Sequence, residues 1–152
     1  MIITDKTKLK SKCEDISSIE EFQEIKKKLE FELNMSAQLG KPGIGLAAPQ
    51  IGINKNVVIV RVPTNSGLVS LDLANAVIAN AYDYDWFAGE GCLSFPGLAG
   101  RTWRAQEVYI KNNAVFPHSF IATGLLAVAI QHELDHLHGV ILPDIINKKR
   151  AF

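Results

Sequence analysis

One segment near the end of the chain restricts the fold more than any other: GLLAVAIQHELDHLHG, residues 124–139. It reads as a helix, with Gly139 as its C-cap and Pro143 shortly beyond. The first half, LLAVAI, is apolar all round, so the rest of the chain must enclose this helix. The second half carries His132, Glu133, Asp135 and His136 into the same interior. Buried imidazoles and carboxylates need partners. On a helix, positions i and i+4 share a face one turn apart, so His132 and His136 can hold one ion together. Glu133, one step round, sits beside that ion but out of the ligand line, where it can take a proton from an activated water. Asp135 is read as support for backbone or a basic group, His138 as surface, and Gln131 as a bond across to glycine-rich segments.

The remaining pattern supplies what encloses the helix. SSIEEFQEIKKKLEFELNMSAQLGKPG reads as an amphipathic helix capped by Ser17 or Ser18, with Glu20 or Glu21 completing a capping box. Phe22, Ile25, Leu29 and Leu33 form its apolar face, and Gly40, Pro42 and Gly43 end it. NVVIVRV (56–62) is a β-branched strand, and LVSLDLANAVIAN is also assigned to strand. EVYIK (107–111) and SFIAT (119–123) read as a hairpin joined through NNAVFPH. The expectation is one α+β domain over residues 1–152, with antiparallel or mixed sheets packed around a central C-terminal helix.

Composition removes several function classes. Basic and acidic residues balance at 16 each, so bulk charge gives no reason to expect direct nucleic-acid binding. The opening MIITDKTKLKSKCEDI lacks the apolar run and cleavage site of a secretory signal, and no stretch approaches the ~18 apolar residues of a membrane span. Two cysteines, Cys13 and Cys92, make no disulfide scaffold, so a reducing, cytoplasmic compartment is expected.

The third ligand is the open question. Proteases built on HExxH recruit a downstream Glu, or a His three residues beyond the glycine of HExxHxxG. Here no Glu follows Glu133, and Leu142 stands where that His would be. Asp144 remains downstream; Cys13, Cys92 and His118 remain upstream. Cys92 lies in GEGCLSFPG, whose glycines let backbone approach closely. A thiolate with two imidazoles and an open position is a recognised catalytic set. Taken singly, Cys92 also fits a small buried hydrophobe, and Gln50 a turn-bonding amide.

Three segments stand in order: GIGLAAPQ (43–50), EGCLS (90–94) and QHELDH (131–136). Together they resemble the signature motifs of peptide deformylases, over roughly residues 43–140. The resemblance implies hydrolysis of the N-formyl group from the initiator methionine of nascent polypeptides, releasing formate. It implies Cys92, His132 and His136 as metal ligands and Glu133 as general base, then acid. Gln50 and the backbone N–H of Leu93 would hold the developing oxyanion, and Gly45 would lie along the substrate backbone. Ile44, Leu125 and Val128 would form the methionine pocket. Glu90 would pair with Arg104 as scaffolding for the Cys92 loop. Ligand softness alone favours Zn(2+). The resemblance implies one divalent ion, physiologically Fe(2+), with Zn(2+), Ni(2+) or Co(2+) able to substitute and with oxygen sensitivity as a consequence.

Two regions depart from the pattern. The N-terminal stretch lacks the Pro-Asp dipeptide common near the start of these enzymes. The chain given stops at NKKRAF, where many bacterial relatives continue into a helix that docks on the ribosome, so the resemblance leaves ribosome association open here. A monomer acting on N-formylmethionyl peptides is expected, in a bacterial cytoplasm or, for a phage-encoded enzyme, that of an infected cell. Two other classes compete: a metalloprotease or other amidase on the same helix, and a non-catalytic metal- or peptide-binding relative. The intact Glu133, Gln50 and Cys92 speak against the second.

Overall fold

The structure, a computed structural model, describes residues 1–150; the last two residues of the NKKRAF tail lie outside that range. After a short helix α1 (Lys6–Leu9), the long helix α2 spans Ile19–Gln38. Ser18 caps it by accepting from Glu21 N–H at 3.1 Å. Glu21 reaches back to the N–H of Ser17 rather than to that of the cap, so the capping box is displaced by one residue. All four apolar-face residues, Phe22, Ile25, Leu29 and Leu33, are buried.

Strands β1 (Gly45–Ala47), β2 (Val57–Thr64) and β3 (Gly67–Ala74) form one antiparallel sheet in the order β1-β2-β3. A 3-10 turn at Ala48–Ile51 follows β1. Strands β4 (Val77–Gly91), β5 (Ala99–Asn112) and β6 (His118–Thr123) form the second, also antiparallel. Helix α3 (Gly124–Leu137) packs against β1, β2, β5 and β6, and a short α4 (Leu142–Ile145) follows. The expected α+β architecture around a central helix is what forms.

Burial explains why β2 reads as continuously apolar. Val57 and Ile59 pack with Phe22, Ile25 and Leu29 of α2. Val58, Val60 and Val62 share the other cluster with Ile130, Leu134 and Leu137 of α3 and with Val108 and Ile110 of β5. A strand alternates its side chains between faces, so one covered on both sides needs apolar residues at every position. At the end of α3, Gly139 takes φ +71°, and the N–H groups of Gly139 and Val140 bond the carbonyls of His136 and Asp135. That closes the helix in a Schellman motif with glycine just past the cap residue His138.

Two sequence expectations need correction. LVSLDLANAVIAN is not one strand: it divides at Asn75, which adopts φ +52° and sends the chain from the first sheet to the second. Asparagine tolerates that conformation, and its side chain bonds both backbone groups of Ile16. The new strand then runs to Gly91, so part of the segment read as loop is strand. Most of β4 is exposed at the sheet edge, which removes the apolar alternation that would have revealed it. No helix among the described residues is long and apolar enough to cross a membrane.

Candidate active site

The end of β4 decides where the chemistry-bearing groups meet. Pairing runs Phe87↔Thr102 and then Glu90↔Gly100, so β4 carries one extra residue there, with Gly89 at φ +76°. This bulge turns Glu90 inward onto the face that carries Thr102 and Arg104. Glu90 is 5% exposed and accepts from Thr102 Oγ1 at 2.7 Å and Arg104 Nε at 2.8 Å. Arg104 Nη2 pairs with its second oxygen. Burial alone would raise the Glu90 carboxyl, but hydrogen bonds from Arg104 and His132 hold it well below the usual carboxylate range.

An ionised Glu90 can only accept, which fixes the tautomer of its third partner. His132 Nδ1 lies 2.8 Å from Glu90 Oε2 and is therefore the donor. Its Nε2 is left to face Cys92 and His136. The sequence reading made Glu90 a scaffold for the Cys92 loop; it also orients His132. Arg104, fully buried, reaches Asp135 Oδ2 at 2.6 Å as well, so Asp135 serves a basic group as expected. Replacing Arg104 by Met leaves the buried Glu90 carboxylate without its guanidinium partner, and a loss of about 3–5 kcal/mol in chemical denaturation is expected. An unchanged midpoint would show that Glu90 does not depend on it.

Cys92 follows β4 directly, and one ligand atom each from Cys92, His132 and His136 lie within 4.8 Å of one another. Cys92 Sγ is 3.5 Å from His136 Nε2. The other candidates for third ligand stand elsewhere. Asp144 pairs with Lys10 at 3.0 Å, His118 is exposed on its hairpin, and Cys13 is buried in the core, where burial pushes its thiol up to about 11. Both cysteines are free thiols.

Gln50 sits in the turn after β1 and is 1% exposed. Its Oε1 accepts from Ala47 N–H at 2.9 Å, so its Nε2 must point the other way, to Ser94 Oγ at 3.1 Å and Cys92 Sγ at 3.6 Å. The turn-bonding and site-facing readings of Gln50 are therefore both realised, by opposite ends of one amide. Gln131 differs from expectation: it bonds the N–H and C=O of Ala105 in β5, locking α3 to the second sheet rather than reaching the glycine-rich segments.

Glu133 is 4% exposed, and its Oε1 has no hydrogen-bond partner among the described residues. Its Oε2 lies against Gly45, where an added Cβ would stand 2.6 Å away. Burial pushes the Glu133 carboxyl up to about 7 and the His136 imidazole down to about 3. Burial would also lower His132, but Glu133, Cys92 and Glu90 around it outweigh that and raise it well above its ordinary value. The surroundings thus favour positive charge beside His132 and keep His136 in the neutral form a ligand requires. Two imidazoles, a thiol and a buried acceptor without a partner suit a divalent cation and a water.

These groups open into a cavity of ≈540 Å³. Ile44, Gly45, Leu93, Leu125 and Val128 all line it, as do Gln50, Cys92, His132 and Glu133. Phe87 and Leu98 contribute further apolar wall that the motifs did not indicate. Ser94 was also missed; only its distance to Gln50 reveals it.

The family model of polypeptide deformylases matches residues 1–152. The peptide deformylase of Heliobacterium modesticaldum is 46% identical over 104 residues, covering 67% of this chain and 66%, just under two thirds, of that protein. That of Halothermothrix orenii is 37% identical over 139 residues, covering 90% and 85%. A crystal structure described as a probable peptide deformylase from Synechococcus phage S-SSM7 superposes with TM-score 0.82 at 32% identity, over 95% of this chain and 97% of that one. Matched along its whole length and sharing its fold with such a relative, this chain belongs to the polypeptide deformylase family.

Proposed function

We propose that the protein hydrolyses the N-formyl group of N-formylmethionyl peptides, releasing formate and a free amine. The observation that carries this reading is the convergence of Cys92, His132 and His136 at the edge of one largely apolar cavity that Cys92 and His132 line together with Glu133 and Gln50. The two imidazoles and the thiol would hold one divalent ion: Fe(2+) under reducing, cytoplasmic conditions, with Zn(2+), Ni(2+) or Co(2+) as substitutes. Bound there, the ion supplies Lewis-acid activation of a water and of the formyl carbonyl.

The chain's own residues do the rest. Ile44, Leu125 and Val128 hold the methionine side chain by apolar contact. The substrate backbone runs beside β1, whose other edge is already paired to β2, so the peptide extends the sheet at Ile44 and Gly45. Glu133 takes the proton of the attacking water; a carboxyl near 7 both accepts and returns a proton efficiently at neutral pH. Gln50 Nε2 and the Leu93 N–H donate to the oxygen that becomes negative, each worth about 3–4 kcal/mol. Glu133 then delivers its proton to the leaving amine. A formyl carbon bears only hydrogen, which suits a narrow site that excludes acetyl groups.

Formate measured from formyl-Met-Ala-Ser tests this, with acetyl-Met-Ala-Ser and an unformylated longer peptide alongside. Turnover of the formylated peptide alone is expected; cleavage of internal peptide bonds would favour the protease reading instead. A second variant tests the Glu133 geometry. Gly45→Ala places a methyl 2.6 Å from Glu133 Oε2, so the carboxylate must move. The expected result is about a 10²-fold fall in kcat with metal content unchanged; full activity would show that Glu133 need not stay where it is.

A further inference from the structure

A line of alternating charges leads from the cavity wall at His132 and Glu90 into the protein. His132 Nδ1 bonds Glu90, Glu90 bonds Arg104, and Arg104 bonds Asp135, with the distances given above. Asp135 is then gripped by Arg150: Nη1 donates to Oδ2 at 3.0 Å and Nη2 to Oδ1 at 3.1 Å. This bidentate fork belongs to the tail after α4, far in sequence from β4 and β5. Neither end is fully in water, with 22% of the Arg150 side chain and 17% of the Asp135 side chain exposed.

The tail is held in place independently of Arg150. Asn147 N–H donates to Arg101 O at 2.9 Å, and Lys149 Nζ lies 4.6 Å from the Trp103 ring centre. Ile146 packs directly on Gly100, where a Cβ would come within 2.5 Å of it. Gly100 is the cross-strand neighbour of Glu90. The tail therefore lies along β5 and delivers a guanidinium to the helix that bears both histidines.

We propose that Arg150 is a positioning residue, which fixes the metal-binding histidines through Asp135, Arg104 and Glu90. The inference rests on reading Cys92, His132 and His136 as a metal site. Arg104 stands between two carboxylates. With Arg150 on both oxygens of Asp135, Arg104 can commit two of its nitrogens to Glu90, and Glu90 in turn fixes the His132 ring. Without Arg150, Asp135 draws Arg104 toward itself and loosens its hold on Glu90. Losing a cation would by itself favour a bound metal, but that effect is screened at the solvent-facing end of the network, whereas loss of ring orientation is not.

The test compares wild type, Arg150→Ala, Arg150→Lys and Arg150→Ala in an Asp135→Asn background. The readouts are the Zn(2+) dissociation constant by chelator competition, the visible spectrum of the Co(2+)-loaded protein, and kcat and KM for formyl-Met-Ala-Ser. Arg150→Ala is expected to weaken Zn(2+) binding by about 3- to 10-fold, below the 10–100-fold typical of direct partners of a ligand. The Co(2+) bands should shift, and kcat should fall with KM unchanged, because Ile44, Leu125 and Val128, which hold the methionine side chain, lie outside the network. Arg150→Lys keeps the charge but loses the fork, and should fall between. In the Asp135→Asn background, Arg150→Ala should add nothing. Wild-type affinity and spectrum in Arg150→Ala, even with a lower Tm, would overturn the proposal, as would an undiminished effect in the Asp135→Asn background. A wild-type protein that binds no metal would overturn the site reading itself.

Discussion

Glu133→Ala should retain its full complement of metal and lose formate release by about 10²–10⁴-fold, the range a positioned proton carrier supplies. The separation of the two effects is the point. Glu133 is not among the three groups that converge within 4.8 Å, so its removal leaves the ligand set intact. Its side chain instead fills the space over Gly45, with one oxygen unpartnered at the cavity wall. Glu133→Gln is the closer mimic in shape, and it should be equally inactive because an amide cannot carry the proton. Equal loss of metal and activity in both variants would mean that Glu133 acts on binding, and the assigned role would be wrong.

Cys92→Ala should fail in the opposite order. Metal retention after dialysis is expected to fall by more than the 10–100-fold that a supporting residue costs, with formate release falling in parallel. The protein contains its own control. Cys13 is buried with its thiol pushed up to about 11, so it is inert toward alkylating reagents near neutral pH. Iodoacetamide should therefore label Cys92 alone, and metal loading should protect it. Protection without loss of affinity in Cys92→Ala would place the thiol near the metal but outside the ligand set.

Much of this arrangement was legible from local pattern. Period 3.6 marked α2, an apolar run closed by Gly139 and Pro143 marked α3, and a fully covered β2 announced itself by an unbroken apolar run. HExxH placed His132, Glu133 and His136 on one helix because i, i+4 spacing is a property of the helix itself. What local pattern does not encode is which distant segment meets that helix. The residues alone set Cys13 aside as structural or exposed and left Cys92, His118 and Asp144 open; among the described residues, the fold brings Cys92 to the two imidazoles. The role of Glu90 was harder still, because it depends on one extra residue in β4 that rotates the side chain inward. Beyond Asn80, β4 was invisible as a strand, since an exposed edge imposes no apolar alternation. The tail contact from Arg150 to Asp135 was half legible: Asp135 was expected to support backbone or a basic group, but no pattern marks Arg150 as that group.

Formate released from formyl-Met-Ala-Ser by protein purified and assayed without oxygen, with metal measured in the same sample, is the deciding measurement. One divalent ion per chain and formate release that disappears on chelation and returns on adding Fe(2+) are expected. Metal-free protein that releases formate at the same rate, or metal-loaded protein that leaves the formyl group in place, would contradict it.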